Sequence, residues 1–319
     1  MAAFTRRQAL SRGFAAAGAA AGAALLPQRL FAQEARSASA APAERPADFT
    51  MRFAPHFGMF HHHAGDDAVA QLEFMRAQGF TALEDNGMAG RSPAEQERIG
   101  AALDRLGMTM GVFVANMSTA FGRPTFASGD AAMREEFLES CRNAVDVAKR
   151  CGAKWMTVVL GDYDHRFHPE VQTAHAIESL KRAAAIFEPH GLSMVLEPLN
   201  ELADHPGLFL TRSTHAYLIC KAVASPACKI LFDAYHQQIT EGNLVPNIEQ
   251  MWDEIAYYQI GDNPGRCEPG TGEVNWAFVF RRIKERGFTG VLGMEHGKSR
   301  DGKEGEQALI AAYRACDPR

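Results

Sequence analysis

The chain has no Lys/Arg-rich block, no interleaving of basic with aromatic residues, and a formal net charge of −5. Binding a phosphate backbone needs a basic surface, so nucleic acid is excluded as a partner. None of the six cysteines (Cys141, Cys151, Cys220, Cys228, Cys267, Cys316) sits in a CxxC or zinc-type spacing. That argues against a structural zinc and against a dithiol redox motif. A disulfide is permitted in an oxidising compartment, but a chain this long does not need one. Cys267 has no neighbouring His to activate it as a nucleophile. The Gly/Ala-rich apolar run from Phe14 to Leu26 falls short of the roughly 20 residues a bilayer requires. No glycine-rich phosphate loop follows the first expected strand, which counts against a dinucleotide-binding open sheet.

What is present begins with an export signal. Arg6-Arg7 precedes the apolar run, and the first acidic residue is Glu34. A charged start, a short weakly hydrophobic stretch and small residues beyond it describe a secretory signal over residues 1–32. The arginine pair points to the twin-arginine route, and hence to a periplasmic or secreted protein with no stable membrane association after cleavage. Cleavage after Ala32 or after Ala40 fits equally. The Ala, Ser, Pro and Glu of 33–49 predict a disordered leader. Loss of 1–32 removes Arg6, Arg7, Arg12 and Arg29 and no acid, so the mature chain is more acidic still.

From 50 to 319 strand-like and helix-like segments alternate. The expected strands are 51–57, 80–84, 108–114, 154–160, 192–196, 228–232, 255–260 and 288–294. Their apolar runs are continuous rather than alternating, as in parallel strands covered on both faces. Ser92 and Pro93 mark one helix start, as N-cap and first helical residue. Eight units in this length fit a single-domain (β/α)8 TIM barrel, which takes about 250 residues.

In such a barrel the carboxyl ends of the strands face one pocket. Those ends are polar here: His56, Glu84-Asp85, Asp162 and Asp164, Glu197, Asp233 with His236 three residues on, Gln259, and Glu295-His296. One carboxylate at the tip of an apolar run is commonly a helix cap or a salt-bridge partner. Glu197, Asp233 and Glu295 together, with Gln259, converge and repel, and a divalent cation is the simplest compensation. All four offer oxygen, which favours one Mg²⁺ or Mn²⁺ over zinc. His61-His62-His63 is a rival cluster, but adjacent residues seldom converge on one ion, so it is expected as a lid or rim segment. After the seventh strand, Gly-Asp-Asn-Pro-Gly-Arg-Cys-Glu-Pro-Gly-Thr-Gly (261–272) predicts a loop of fixed path that carries Arg266.

That loop, with Leu-Glu-Pro-Leu-Asn (196–200), Phe-Asp-Ala-Tyr-His (232–236) and Gly-Met-Glu-His (293–296), resembles the hydroxypyruvate isomerase branch of the xylose-isomerase-like TIM barrels. The resemblance covers about residue 51 to the end. It implies that Glu197, Asp233, Gln259 and Glu295 hold the metal, that Glu197 and Glu295 are the acid/base pair, and that His236 and Arg266 contact substrate. His56 and Glu84 join the expected substrate-binding set. The ketose 3-epimerases of the same superfamily usually carry His where Gln259 stands. The expected reaction is aldose-ketose isomerisation of a small sugar or hydroxy-keto acid through an enediolate. A ketose 3-epimerase, a sugar dehydratase or lyase, and a non-catalytic exported sugar-binding protein remain alternatives, and a homo-oligomer stays open. Changing Arg6 and Arg7 together to Lys is expected to hold the precursor in the cytoplasm. Cell fractionation checks this, and normal processing of the double variant would indicate another route.

Overall fold

The computed structural model describes residues 46–319; the expected signal and most of the leader lie outside them. The strands are β1 (Arg52–Ala54), β2 (Ala82–Leu83), β3 (Thr109–Met110), β4 (Phe113–Val114), β5 (Trp155–Val158), β6 (Ser193–Leu196), β7 (Cys228–Asp233), β8 (Ile255–Gln259) and β9 (Val291–Gly293). The helices are α1 (His61–Ala64), α2 (Ala68–Ala77), α3 (Pro93–Leu106), α4 (Ala131–Cys151), α5 (Pro169–Phe187), α6 (Ser213–Val223), α7 (Ala234–Thr240), α8 (Leu244–Gln250), α9 (Trp276–Glu285) and α10 (Gly302–Cys316).

All strand pairs are parallel, in the order β1-β9-β8-β7-β6-β5-β4, with β2 pairing β3. The expected third strand is one segment broken in two. Its first half pairs β2 and its second half pairs β5. The break falls at Gly111, where a Cβ would overlap the Tyr257 hydroxyl reaching across from β8. Glu84 N donates to Pro55 O at 3.0 Å, and a bridge joins His56 to Glu84, so β2 also meets β1 and the ring closes.

Two apolar layers follow from the pleat. Ala54, Ala82, Val112, Val195, Leu231, Tyr257 and Val291 fill the barrel interior. The larger layer lies between strands and helices, where Phe53 packs on Phe280 and Tyr313 with ring centroids 5.0 and 4.9 Å apart. Each such buried aromatic contributes roughly 1.5–3 kcal/mol through area removed from water. The helices start where the local chemistry demands. Ser92 Oγ accepts from Glu95 N at 3.3 Å, with Pro93 behind it, and Asp67 caps α2 through Ala70 N.

Three expectations need correcting. The polar end of the sixth strand turns into a helix: β7 stops at Asp233, and Ala234 to His236 form the first turn of α7. Asp233 Oδ1 accepts from Tyr235 N (2.7 Å) and His236 N (3.3 Å), which caps that turn. The fold also begins before residue 50, because Phe49 is buried and stacks on Phe80 at 4.6 Å. Finally, His61 to His63, expected as a lid or rim segment, form the short helix α1.

Helix α1 is held to α10 by Glu306, whose buried carboxylate accepts from His62 N (2.9 Å), His63 N (3.1 Å), His62 Nδ1 (3.0 Å), His63 Nδ1 (2.5 Å) and Lys298 Nζ (3.3 Å). Burial raises this carboxyl, but the His63 and His62 hydrogen bonds outweigh it and bring its pKa down to about 2. A carboxylate lowered in the fold adds stability above the unfolded range, and that stability is lost as pH falls. Glu306→Ala strands several donors and is expected to cost about 2–4 kcal/mol near neutrality. The cost should shrink as pH falls toward about 2–3. Urea titrations of both proteins across that range measure it.

Candidate active site

The ladder register lines up the site. Asp233 pairs with Gln259, Gln259 with Gly293, and Gly293 with Ala54, so these positions share one level at the carboxyl end of the barrel. Glu197 follows β6 and Glu295 lies two residues beyond β9. One ligating atom from each of Glu197, Asp233, His236 and Glu295 lies within 4.8 Å of the others. Glu197, Asp233, His236 and Gln259 are buried, and the Glu295 side chain is 25% exposed. The structure thus brings together three of the four expected ligands, Glu197, Asp233 and Glu295, with His236 among them, and the ladder places Gln259 beside Asp233.

Arg266 supplies the cation for this group of acids. Its Nη2 donates to Asp233 Oδ2 at 3.0 Å and Glu295 Oε2 at 2.7 Å, and its Nε donates to the Glu295 carbonyl at 3.1 Å. Its guanidinium lies over the Tyr235 ring, 4.7 Å from the centroid. The loop that carries it is tied down by Asp262, fully buried, whose carboxylate accepts from Asn263, Gly270, Gly272 and Val274 backbone N–H groups.

His236 is fixed by Asn200, whose Nδ2 donates to His236 Nδ1 at 2.7 Å. The Asn200 amide cannot be turned over, because its Oδ1 accepts from Ala203 N and Asp204 N. The proton of a neutral His236 therefore sits on Nε2, 3.6 Å from Asp233 Oδ2. Burial brings the His236 pKa down to about 4, against the pull of Asp233, so the neutral ring holds at pH 7.

Glu84 is fully buried, and both its oxygens are engaged. His56 Nε2 lies 2.9 Å and Gln259 Nε2 2.8 Å from Oε1, while Tyr257 Oη donates to Oε2 at 2.6 Å. Burial pulls His56 down, but the charge of Glu84 and its hydrogen bond, with Glu295 and Asp85 behind them, raise it overall. Gln259 Oε1 is buried with no protein partner.

Sequence reasoning passed over Asn86, whose Nδ2 donates to Glu295 Oε1 at 2.6 Å. It also passed over Asn200 and Tyr235. Asn86 follows Glu84-Asp85 at a strand end, which was the available signal. A cavity of about 410 Å³ opens beside Asn86, lined also by Gly87, Gly90, Val114, Ala115 and Met117. The alternative cluster of His61, His62 and Glu306 spends its carboxylate on protein donors. Burial pushes the Cys267 thiol up, with Glu268 and Asp262 adding to it, which disfavours a nucleophile there.

A xylose isomerase-like TIM barrel family model matches residues 72–316. The chain belongs to that family. Within it, the chain is 34% identical over 162 residues to hydroxypyruvate isomerase of Escherichia coli (strain K12), covering 51% of this chain and 62% of that one. It is 29% identical over 246 residues to 2-oxo-tetronate isomerase of Cupriavidus necator, covering 77% of this chain and 92% of that one. Among solved folds, an AP endonuclease, family 2, from Brucella melitensis superposes with a TM-score of 0.71 at 24% identity, covering 82% of this chain and 99% of that one. A D-psicose 3-epimerase from Clostridium cellulolyticum H10 gives a TM-score of 0.66 at 16% identity, covering 83% and 96%. These last two show the shared barrel alone.

Burial, the nearby charge of Asp233 and that of Glu84 raise the Glu295 carboxyl to about 7, against the lowering effect of Arg266. Glu197 is raised well above its ordinary value, first by burial and then by Glu295 and Asp233. A carboxyl raised in the fold contributes stability that is full below the unfolded range and lost as pH rises through the folded value. Glu295→Gln resembles the protonated form. In protein dialysed against EDTA it is expected to raise the melting temperature at about pH 8 and to leave it nearly unchanged at about pH 5. Calorimetry at both values decides it. Equal losses at both would mean that the ion pair with Arg266 dominates.

Proposed function

We propose that this protein is a divalent-metal-dependent isomerase of small hydroxy-carbonyl compounds, with a hydroxy-keto acid of the hydroxypyruvate type as substrate. The observation that carries the reading is the cluster of Glu197, Asp233, His236 and Glu295 beside Gln259 Oε1, a buried acceptor without a partner. An orphaned buried acceptor costs about 1–3 kcal/mol. Next to three acids, a cation answers both needs. Glu197, Asp233, Gln259 and Glu295 would hold it through oxygen, a donor set suited to Mg²⁺ or Mn²⁺. Bound there, such an ion would draw negative charge from adjacent carbonyl and hydroxyl oxygens of the substrate.

The chain's own residues supply the proton chemistry. Isomerisation removes a C–H proton beside a carbonyl and returns one to the neighbouring carbon. Glu197 after β6 and Glu295 after β9 approach from different sides of the mouth, and we assign them as the acid/base pair. His236, neutral with its proton on Nε2, donates to a substrate oxygen. Arg266, held by Tyr235 and the Glu295 carbonyl, pairs with a substrate carboxylate. The names of the E. coli and C. necator relatives support this substrate class. The proposal places the activity outside the cytoplasm, on the strength of Arg6-Arg7 and the apolar run behind them.

Incubation with hydroxypyruvate, a 2-oxo-tetronate and a panel of ketoses in D₂O with Mn²⁺, followed by NMR, tests it. Wild type is expected to exchange the substrate C–H and form the isomer. Glu197→Gln and Glu295→Gln are each expected to lose at least about 100-fold in rate. A C3 epimer or a dehydrated product would reassign the reaction. No exchange with any substrate would point to a binding protein.

A further inference from the structure

We infer that Glu84 is a positioning residue that fixes which end of the Gln259 side-chain amide is offered to the metal. The inference rests on the function proposed above, and it assigns Glu84 a place behind the ligands rather than against substrate. An amide presents an oxygen on one side and an NH₂ on the other, similar in shape and opposite in charge. At Gln259 only the oxygen can bind a cation. A turned amide would point N–H groups at it.

Glu84 removes that ambiguity. An ionised carboxylate only accepts, and with His56 and the Tyr257 hydroxyl also on its oxygens the Gln259 NH₂ must face it. Oε1 is then left on the other side of the amide, where it has no protein partner. Glu84 is in turn fixed from behind by the Tyr257 hydroxyl, a rigid post rising from the barrel interior. The space it fills is Gly293, where a Cβ would overlap Glu84 Oε2. Gly293 is the register neighbour of Gln259, so the missing side chain on β9 is what lets a carboxylate from β2 reach β8. Partners of this kind, one shell behind a ligand, typically affect metal affinity by about 10–100-fold.

Glu84→Gln keeps the shape and introduces a donor. Its NH₂ meets either the Gln259 NH₂ or the Tyr257 hydroxyl, which must then turn its own proton away, and each arrangement loosens the hold on Gln259. The expected result, by calorimetric titration with Mn²⁺ alone, is binding about 10–100-fold weaker than wild type. The double change Glu84→Gln/Gln259→Glu reverses the polarity of the hydrogen bond while keeping an oxygen toward the site, and is expected to restore most of the affinity. A merely structural role predicts no such rescue. Wild-type affinity in the single variant, or a double variant as weak as the single one, would overturn the inference. If wild type itself binds no Mn²⁺, the proposed function fails, and the orientation is read separately. The side-chain amide resonances of Gln259, assigned by their loss in Gln259→Glu, should show protected protons in the wild-type protein. Unprotected protons there would overturn the inference whatever Mn²⁺ does.

Discussion

Like charges held a few ångströms apart dominate the carboxyl end of this barrel. Two unit charges about 4 Å apart interact by roughly 4 kcal/mol at an effective dielectric near 20. Glu197, Asp233 and Glu295 lie within that order of distance of one another. The surroundings answer the repulsion in several ways at once. Arg266 bridges Asp233 and Glu295, Asn86 donates to the other Glu295 oxygen, and the α7 turn absorbs one Asp233 oxygen through backbone N–H groups. The remainder raises the Glu197 and Glu295 carboxyls above the ordinary carboxylate range. A cation would take over that last part, which is why an arrangement costly for an inert fold is reasonable for a metal enzyme.

The strands that carry these acids were legible because each carboxylate ends an uninterrupted apolar run, and a parallel barrel sends all such ends to one mouth. Glu197, Asp233, Gln259 and Glu295 follow from that rule alone. What the rule does not contain is how strand ends continue. Asp233 read only as the polar end of a strand, but it is a helix N-cap, and its two oxygens therefore have separate duties. A capping Asp before Ala-Tyr-His has no Glu or Pro to announce the helix, so the periodicity was too short to read. The Asn86 contact was illegible for another reason. It joins β2 to the segment after β9, and nothing local in either stretch encodes the pairing.

The same limit applies to the His triplet and to Glu84. Three adjacent histidines read as a rim, and α1 does sit after β1, but its attachment to Glu306 is a contact between the two ends of the fold. Glu84 read as a residue for substrate because it ends a strand. Whether a strand-end side chain points into the mouth or down into the barrel depends on what the neighbouring strands leave open. Here Gly293 leaves the space and Tyr257 supplies the donor. Two positions without side chains, Gly111 and Gly293, thus allow one polar chain to run inside an otherwise apolar barrel. Neither has a positive φ, so their use is room rather than backbone freedom.

Arg266 brings these constraints together. Its backbone adopts φ +47, a left-handed conformation that costs a residue with a Cβ of order 1 kcal/mol or more. The loop around it accepts that cost because Asp262, with four backbone N–H groups on its carboxylate, fixes the path on both sides. The return is a guanidinium that lies over the Tyr235 ring and reaches Asp233 and Glu295 together. A lysine could neutralise the same charge, but it lacks the second donor nitrogen that holds the Glu295 carbonyl through Nε while Nη2 meets both carboxylates. The side chain is also still partly open to solvent, at 26% exposure. Under the proposed function, this guanidinium would trade a protein carboxylate for a substrate carboxylate without leaving its ring. Such an exchange would give a reason for a strained arginine at this mouth that charge balance alone does not.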